Sequence, residues 1–280
     1  MTTDLYCVMG NPVEHSKSPW IHARFAQLTA QDIRYTRRLI PLGTLAAAVQ
    51  AFRAEGGRGC NITVPFKFEA APLATRLSAR AALAAACNTL HFEGEHDLFA
   101  DNTDGIGLVQ DIRENAGVDL AGRELLLIGA GGAAAGVLGP LIEARPLRIV
   151  VANRTQSKAE VLIERHAALA ASMSVQLQAP ALDQVRDGFD VVINGTASSL
   201  SGAGVPVNAA VLRRGALAYD MMYGPAAEGF LSWAQAHGAV GRDGLGMLVE
   251  QAAEAFLIWR GVRPPSAQVL QELRASLDSA

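Results

Sequence analysis

Three short stretches carry side chains that could do chemistry on a small polar ligand. In "CNITVPFKFEA" a strand-like run is stopped by Pro65, which places Asn61 and Thr63 on one face by the two-residue period and Lys67 just past the strand end. "ACNTL" supplies Asn88, and "ADNTDG" supplies Asn102, Thr103 and Asp104 ahead of a helical pattern. Amides, hydroxyls and a carboxylate are the groups that pair sugar-like hydroxyls, and strand ends of open α/β sheets are where ligands bind. Taken singly, Lys67 reads as a solvated surface lysine and Asp104 as a helix cap. Together they describe a site for a polyhydroxylated molecule. In "NPVEHSKSPWIH", Ser18 ahead of Pro19 reads as the N-cap of a helix with proline in its first turn. Ser16 lies just upstream, so two hydroxyls and a positive helix end could hold a small carboxylate.

A different chemistry is written into "LLLIGAGGAAAG", an apolar strand that runs into Gly129, Gly131 and Gly132 and then into small residues able to begin a helix. Such a turn lets backbone approach a pyrophosphate, whose charge the free N–H groups of the helix start stabilise. A turn that merely needs a positive φ would use the same glycines. The next strand, "LRIVVA", ends at Ala152, about 20 residues on, where a dinucleotide-binding chain reads the adenosine ribose. Here the chain has Asn153, Arg154 and Thr155, with Lys158 one helical turn further. An acid would accept a hydrogen bond from a ribose 2′-hydroxyl. Two cations instead attract a 2′-phosphate, onto which arginine can fork, so the expected cofactor is NADP(H) rather than NAD.

Elements must hold these groups in place. Short β-rich runs alternate with Ala-rich helical ones, which predicts βα units and a mostly parallel sheet. Strands are expected over 5–10, 34–40, 59–65 and 87–92, and helices over 19–30, 43–54 and 66–84, followed by a turn and helix in "ADNTDGIGLVQDIREN". After a polar connector at 116–123, a second βα run places strands in "ELLLIG", "LRIVVA", "SVQLQ", "FDVVING" and "GALAYDM". Helices close the chain at 246–260 and 266–277. At 280 residues the chain exceeds the roughly 100–150 of one domain, so two are expected.

Composition narrows the partners. The net charge of −3, from 24 basic and 27 acidic residues, offers no global field for nucleic acid or an anionic membrane, and small molecules are the expected partners. Cys7, Cys60 and Cys87 lack CxxC spacing and sit in or beside apolar segments, which predicts buried free thiols and no metal site. The N-terminus has no basic, apolar leader and no run approaches the roughly 20 apolar residues that span a bilayer, so a cytoplasmic protein is expected. Monomer and homodimer are both compatible with this composition.

In sequence order, "HSKSP", "NITVPFK", "CNT", "NTDG", "GAGGA", "NRT" followed by a basic residue, "INGTASS", "DMMY" and "DGLGMLVEQAA" resemble the shikimate dehydrogenases over essentially the full length. The resemblance implies a two-domain α/β fold. Residues 1–103 and 246–280 would form the substrate-binding, catalytic domain, completed by the returning C-terminal helices, and residues 104–245 a Rossmann-type NADP domain, with a cleft between the two. It implies that Ser16 and Ser18 hold the substrate carboxylate, that Asn61, Thr63, Asn88, Asp104 and Gln251 address its hydroxyls, and that Tyr223 lies near it. Lys67 and Asp104 would be the catalytic pair. Gly129, Ala130, Gly131, Gly132 and Ala133 would cradle the pyrophosphate, Asn153, Arg154, Thr155 and Lys158 the adenosine phosphate, with Met221 and Gly244 near the nicotinamide.

The implied activity is reversible NADPH-dependent reduction of 3-dehydroshikimate to shikimate in chorismate and aromatic amino acid biosynthesis. A ketone that receives hydride becomes an alkoxide and needs a proton donor; cationic Lys67 would supply the proton and stabilise the developing charge, and Asp104 would orient it. Two departures stand out: Ala135 where a basic residue is common, and "NGTASSLSG", longer than the usual loop. The six histidines, His15, His22, His91, His96, His166 and His237, match no catalytic position and are assigned surface or structural roles. A quinate/shikimate dehydrogenase using NAD is the nearest rival, and Arg154 speaks against it. A silent NADPH-binding protein would be expected to have lost Lys67 or Asp104.

Overall fold

Alternation along "DLYCVMG" sets the first strand. Cys7 and Met9 point into one buried layer with Phe52, Cys60, Ile62 and Leu90, whereas Tyr6 and Val8 point into the other with Tyr35, Ala255 and Trp259, as a two-residue period requires. The computed structural model describes residues 3–94, 96–196 and 205–278. The chain divides into two compact units, Met1–Gly107 with Leu248–Ala280, and Leu108–Met247.

The first unit contains β1 (Asp4–Gly10), α1 (Ser18–Thr29), β2 (Ile33–Leu39), α2 (Leu45–Ala54), β3 (Gly57–Ile62), α3 (Lys67–Ala70), β4 (Arg76–Leu77), α4 (Ala79–Ala84), β5 (Thr89–Glu93), β6 (Asp97–Asp101) and the start of α5 (Asp104–Gln110). Its sheet order is β2-β1-β3-β5-β6-β4. β1 pairs in parallel with β2 and β3, and β4 with β6, while β5 is antiparallel to both β3 and β6. The mostly parallel sheet thus includes one hairpin, β5–β6, whose second strand the sequence does not signal because "DLFAD" is short and ends in acids at both sides.

Two local expectations need correction. The single helix expected over 66–84 is broken: α3 has four residues, Ala71–Leu73 is a 3-10 turn, and β4 and α4 follow. Pro72 has no N–H to continue an α-helix, and Ala74 turns extended at ψ 139°. Ser78 then caps α4, accepting the Ala81 N–H at 3.1 Å. Ser18 is not an N-cap either; Lys17 occupies that position with φ −87° and ψ −6°, and Ser18 is the first residue of α1. The Ser16 hydroxyl, ahead of the N-cap, accepts the Ser18 N–H at 3.3 Å as a local turn contact, and α1 has no side-chain cap.

In the second unit a π-helical turn, Asp111–Asn115, follows α5. Then come β7 (Glu124–Ile128), α6 (Gly132–Glu143), β8 (Arg148–Ala152), α7 (Gln156–Met173), β9 (Gln176–Gln178), β10 (Phe189–Asn194), β11 (Leu212–Asp220), α8 (Pro225–Ala236) and β12 (Val240–Arg242). The sheet order is β12-β11-β10-β7-β8-β9, and every pairing is parallel. Strand order reverses at β7, flanked by β8 and β10, so this is a doubly wound Rossmann-type sheet with its switch point beside the glycine turn.

Helices α9 (Leu245–Arg260) and α10 (Ser266–Asp278) end the chain and belong to the first unit from Leu248 onward. Trp259 anchors α9 there: its indole N–H donates to the Leu90 carbonyl at 3.0 Å, and a Cβ on Gly59 would come within 2.7 Å of that nitrogen. Glycine at 59 is what lets the helix seat on the sheet.

Candidate functional site

At one edge of the first sheet, three neighbouring strands carry polar residues in register, Asn61 on β3 opposite Thr89 on β5, and Thr89 opposite Asp101 on β6. The β5–β6 reversal brings "CNT" and "DNTD" to this edge, since Asn88 precedes β5 and Asn102 to Asp104 follow β6. Asn88 is a buried hub. Its Nδ2 lies 2.9 Å from both Thr103 Oγ1 and Asp104 Oδ1 and 3.2 Å from Gln251 Oε1, and its Oδ1 accepts the Thr103 N–H at 2.9 Å.

Lys67 enters from the start of α3, where the Cys87 N–H holds its carbonyl at 2.9 Å. Its Nζ donates to Asp104 Oδ2 at 2.5 Å, with side chains only 15% and 6% exposed. Partial withdrawal from water strengthens this ion pair, and the ammonium keeps two further donors for a ligand. Burial pushes the neighbouring Cys87 thiol up to about 12, so it stays neutral beside the acids.

Of the other predicted substrate residues, Asn61 and Gln251 bond to Asn88, Ser18 is linked to Asn61 through Tyr35, and Thr63 lies four residues before Lys67. Asn61 accepts from the Tyr35 hydroxyl at 2.7 Å and donates to the Asn88 carbonyl and Thr89 Oγ1, each at 3.1 Å, so its amide is largely engaged by the protein. Thr63 is half-buried just past β3, and its methyl fills the space that a Cβ on Gly10 would need, 2.3 Å away. Gln251, on α9, donates to the Leu248 carbonyl at 2.7 Å and turns Oε1 toward Asn88. Ser18 is buried within reach of the Tyr35 hydroxyl, and half-buried Ser16 has its carbonyl clamped by Arg37 at 2.9 and 2.6 Å. Burial raises the Tyr35 phenol well above its ordinary range, which keeps it a donor. Tyr35 escapes a sequence reading because its one signal is an inward alternation among three arginines in "IRYTRRL". Tyr223 lies apart from this group in the chain, half-buried after β11 in the second unit.

The glycine turn of the second unit separates two uses of glycine. Gly129 has φ +115°, its N–H donates to the Ala152 carbonyl at 2.8 Å, and a Cβ there would come within 3.1 Å of Gly195. The protein itself requires that glycine. Gly131 is exposed, with an ordinary φ of −87°, and a Cβ there would meet nothing within 4 Å. No neighbour among the described residues accounts for its smallness. It heads α6, which has no side-chain cap and no acid in its first turn, leaving N–H groups that a pyrophosphate would satisfy. Ala130, Gly132 and Ala133 are half-buried around it.

Beside this turn, at the end of β8, Asn153 donates to the Thr155 carbonyl at 2.8 Å. Arg154, Thr155 and Lys158 are exposed, and neither cation has an ion-pair partner among the described residues. Their position and freedom fit a 2′-phosphate. Met221 and Gly244 do meet: a Cβ on Gly244 would fall 2.3 Å from the Met221 carbonyl oxygen, and one on Gly195 3.2 Å from the Met221 sulfur. Fully buried Asp220 shapes this turn, accepting from Asn194 Nδ2 at 3.0 Å and the Met222 N–H at 2.9 Å. Sequence reasoning passed over Asp220, although "DMMY" contains it. Of the long loop that begins at Gly195, residues 197–204 lie outside the described residues. Ala135 is buried inside α6, and the three cysteines are buried and free. His22 is buried against Tyr35, His166 is buried in the second unit, His91 is half-buried, and His15, His96 and His237 are exposed.

The chain matches the shikimate dehydrogenase substrate binding domain over residues 8–90, shikimate / quinate 5-dehydrogenase over 110–203 and the shikimate 5′-dehydrogenase C-terminal domain over 244–274. It is 67% identical over 274 residues to the shikimate dehydrogenase (NADP(+)) of Acidovorax ebreus (strain TPSY), covering 98% of this chain and 97% of that protein. Among solved structures it is similar to the Ael1 enzyme from Pseudomonas putida, with 45% identity, a TM-score of 0.86 and coverage of 96% of this chain and 98% of that one. It is also similar to shikimate 5-dehydrogenase from Thermus thermophilus in complex with NADP(H) and shikimate, with 30% identity, a TM-score of 0.83 and coverage of 97% and 99%.

Proposed function

The chain belongs to the shikimate dehydrogenase family, and from that premise we propose how its own residues serve the reaction. The protein is an NADP-dependent oxidoreductase that interconverts 3-dehydroshikimate and shikimate, in the pathway to chorismate and the aromatic amino acids. The first unit is the substrate-binding one, the second the NADP-binding one. Bound NADPH supplies the hydride.

The Lys67–Asp104 pair carries this reading. As the substrate ketone is reduced, Lys67 Nζ gives its proton to the developing alkoxide, and its charge stabilises that oxygen before transfer. In the oxidising direction Lys67 accepts the proton of the shikimate hydroxyl. Asp104, with Oδ1 tied to Asn88 and Oδ2 to Lys67, aims the ammonium and accepts from a substrate hydroxyl. Ser16 and Ser18 take the substrate carboxylate at the positive end of α1, and Tyr223 serves the same ligand. Asn61, Thr63, Asn88 and Gln251 sort its hydroxyls. In the second unit Gly129 to Ala133 hold the pyrophosphate, Asn153 to Thr155 with Lys158 hold the adenosine phosphate, and Met221 and Gly244 border the nicotinamide.

Unpaired Arg154 and Lys158, with no acid between them in "NRTQSK", disfavour NAD as the partner and with it the quinate/NAD alternative. Three buried free thiols suit a reducing compartment, and we place the enzyme in the cytoplasm. Nicotinamide absorbance with shikimate or quinate, each with NADP and with NAD, tests the assignment. Turnover is expected to favour shikimate with NADP. Lys67→Ala should lower kcat by about 10²- to 10⁴-fold, the usual worth of a general acid, with a much smaller change in shikimate KM. A folded Lys67→Ala protein with normal kcat would remove Lys67 from the chemistry.

A further inference from the structure

Arg80 is absent from every role assigned so far, yet it is the most heavily committed cation near the site. From α4 its guanidinium forks onto the buried Asp101 carboxylate, Nε to Oδ1 and Nη2 to Oδ2, each at 2.7 Å, and Nη2 also donates to Glu254 Oε1 at 3.0 Å. Asp101 opens the turn that carries Asp104. Its Oδ1 accepts the Asn102 N–H at 2.7 Å, Asn102 Oδ1 accepts the Asp104 N–H at 3.2 Å, and Asn102 Nδ2 donates to the Ala86 carbonyl at 2.9 Å. Two successive side-chain caps therefore lead from the Arg80 fork to the backbone of Asp104. Glu254 sits on α9 one turn after Gln251, whose Oε1 faces Asn88, so the same guanidinium ties the helix bearing Gln251 to the turn bearing Asp104.

We infer that Arg80 is a positioning residue: by clamping Asp101 and Glu254 at once it sets where Asp104 and Gln251 stand relative to Lys67 and Asn88. The inference rests on the assignment of Lys67 and Asp104 as the reacting pair. An ordinary structural ion pair would do something different. It would affect how well the first unit folds, and the effect would vanish when Arg80 and Asp101 are replaced together, because Glu254 keeps Arg263 at 2.9 Å and no buried charge is then left alone. A positioning clamp still leaves the turn undirected in the double replacement, so stability returns and turnover does not.

The test compares Arg80→Met, Arg80→Lys, Asp101→Asn and the double Arg80→Met/Asp101→Asn in the full-length protein. Melting temperature, kcat, shikimate KM and NADP KM are measured for each, with Lys67→Ala in the same assay. The expected results are a kcat loss on the order of 10- to 100-fold in Arg80→Met, as misplacement of reacting groups by about an ångström produces, and an unchanged NADP KM. Arg80→Lys, which keeps the charge but not the fork, should melt near wild type and still lose kcat, which covers the case in which Arg80→Met does not fold. The double variant should regain melting temperature without regaining kcat. Recovery of kcat together with stability, or wild-type kcat in Arg80→Lys and Arg80→Met, overturns the inference while an inactive Lys67→Ala leaves the reacting pair standing. A fully active Lys67→Ala would instead overturn the pair, and the role of Arg80 with it.

Discussion

At the scale of single residues, the two glycines at 129 and 131 look alike in the sequence and do different things. Gly129 answers to the protein, through a left-handed φ and the approach of Gly195, while Gly131 faces open space. Gly131→Ala should therefore keep the wild-type melting temperature and raise NADP KM, because the added methyl intrudes where backbone meets phosphate. Gly129→Ala should lower the melting temperature with or without cofactor, since alanine is strained at that φ. Equal effects of the two substitutions on stability would show that Gly131 has a structural role after all. Lys67, Asp104, Asn88 and Arg154 were legible as residues because charged and amide groups beside strand ends are conspicuous. Tyr35, Arg80, Asp101 and Asp220 were not, because each acts by holding another group, and its partner is distant in sequence.

At the scale of elements, α1 carries a buried titratable group that the chemistry does not use. His22 is fully buried, stacked on Tyr35 with ring centroids 4.2 Å apart, and neither ring nitrogen has a hydrogen-bond partner among the described residues. Burial pushes its pKa down from 6.5 to about 3, and the nearby Asn61 amide offsets only part of this. The folded state thus keeps His22 neutral while the unfolded chain takes up a proton below pH 6.5. Stability should fall as pH drops from 6.5 toward 3, by up to about 1.4 kcal/mol per pH unit from this group. His91 and His166, also lowered by burial, act in the same direction. Urea unfolding between pH 7 and 5 should show a shallower loss for His22→Phe than for wild type; parallel curves would mean that His22 does not contribute. Element boundaries were least legible where tertiary contact decided them. Pro72 divides an apparently continuous helix, and β6 is a strand because it pairs with β5, and β4 because it pairs with β6, not because "RL" or "DLFAD" favours extension.

At the scale of the whole molecule, the cofactor should stabilise the fold by mass action. NADP at 100 times its Kd is expected to add about 2.7 kcal/mol, seen as a rise in melting temperature, and NAD at the same concentration much less. Arg154→Gln/Lys158→Gln should erase the difference between the two nucleotides without changing the melting temperature of the free protein, since both side chains are exposed and unpaired. An undiminished preference for NADP in that variant would place 2′-phosphate recognition elsewhere. By itself the sequence determined the class of fold, the glycine turn, the cationic reading of the ribose position and the chemical inventory of the substrate site, because period, turn chemistry and charge are local properties of a chain. Only the tertiary structure decided that Asn88 would be the hub joining Lys67's partner Asp104 to Gln251, that an antiparallel hairpin would bring two amide-rich turns to one sheet edge, and that Lys17 rather than Ser18 would stand at the N-cap of α1. Those outcomes depend on strand pairing and helix docking between residues far apart in sequence, and no local preference encodes which distant group will arrive.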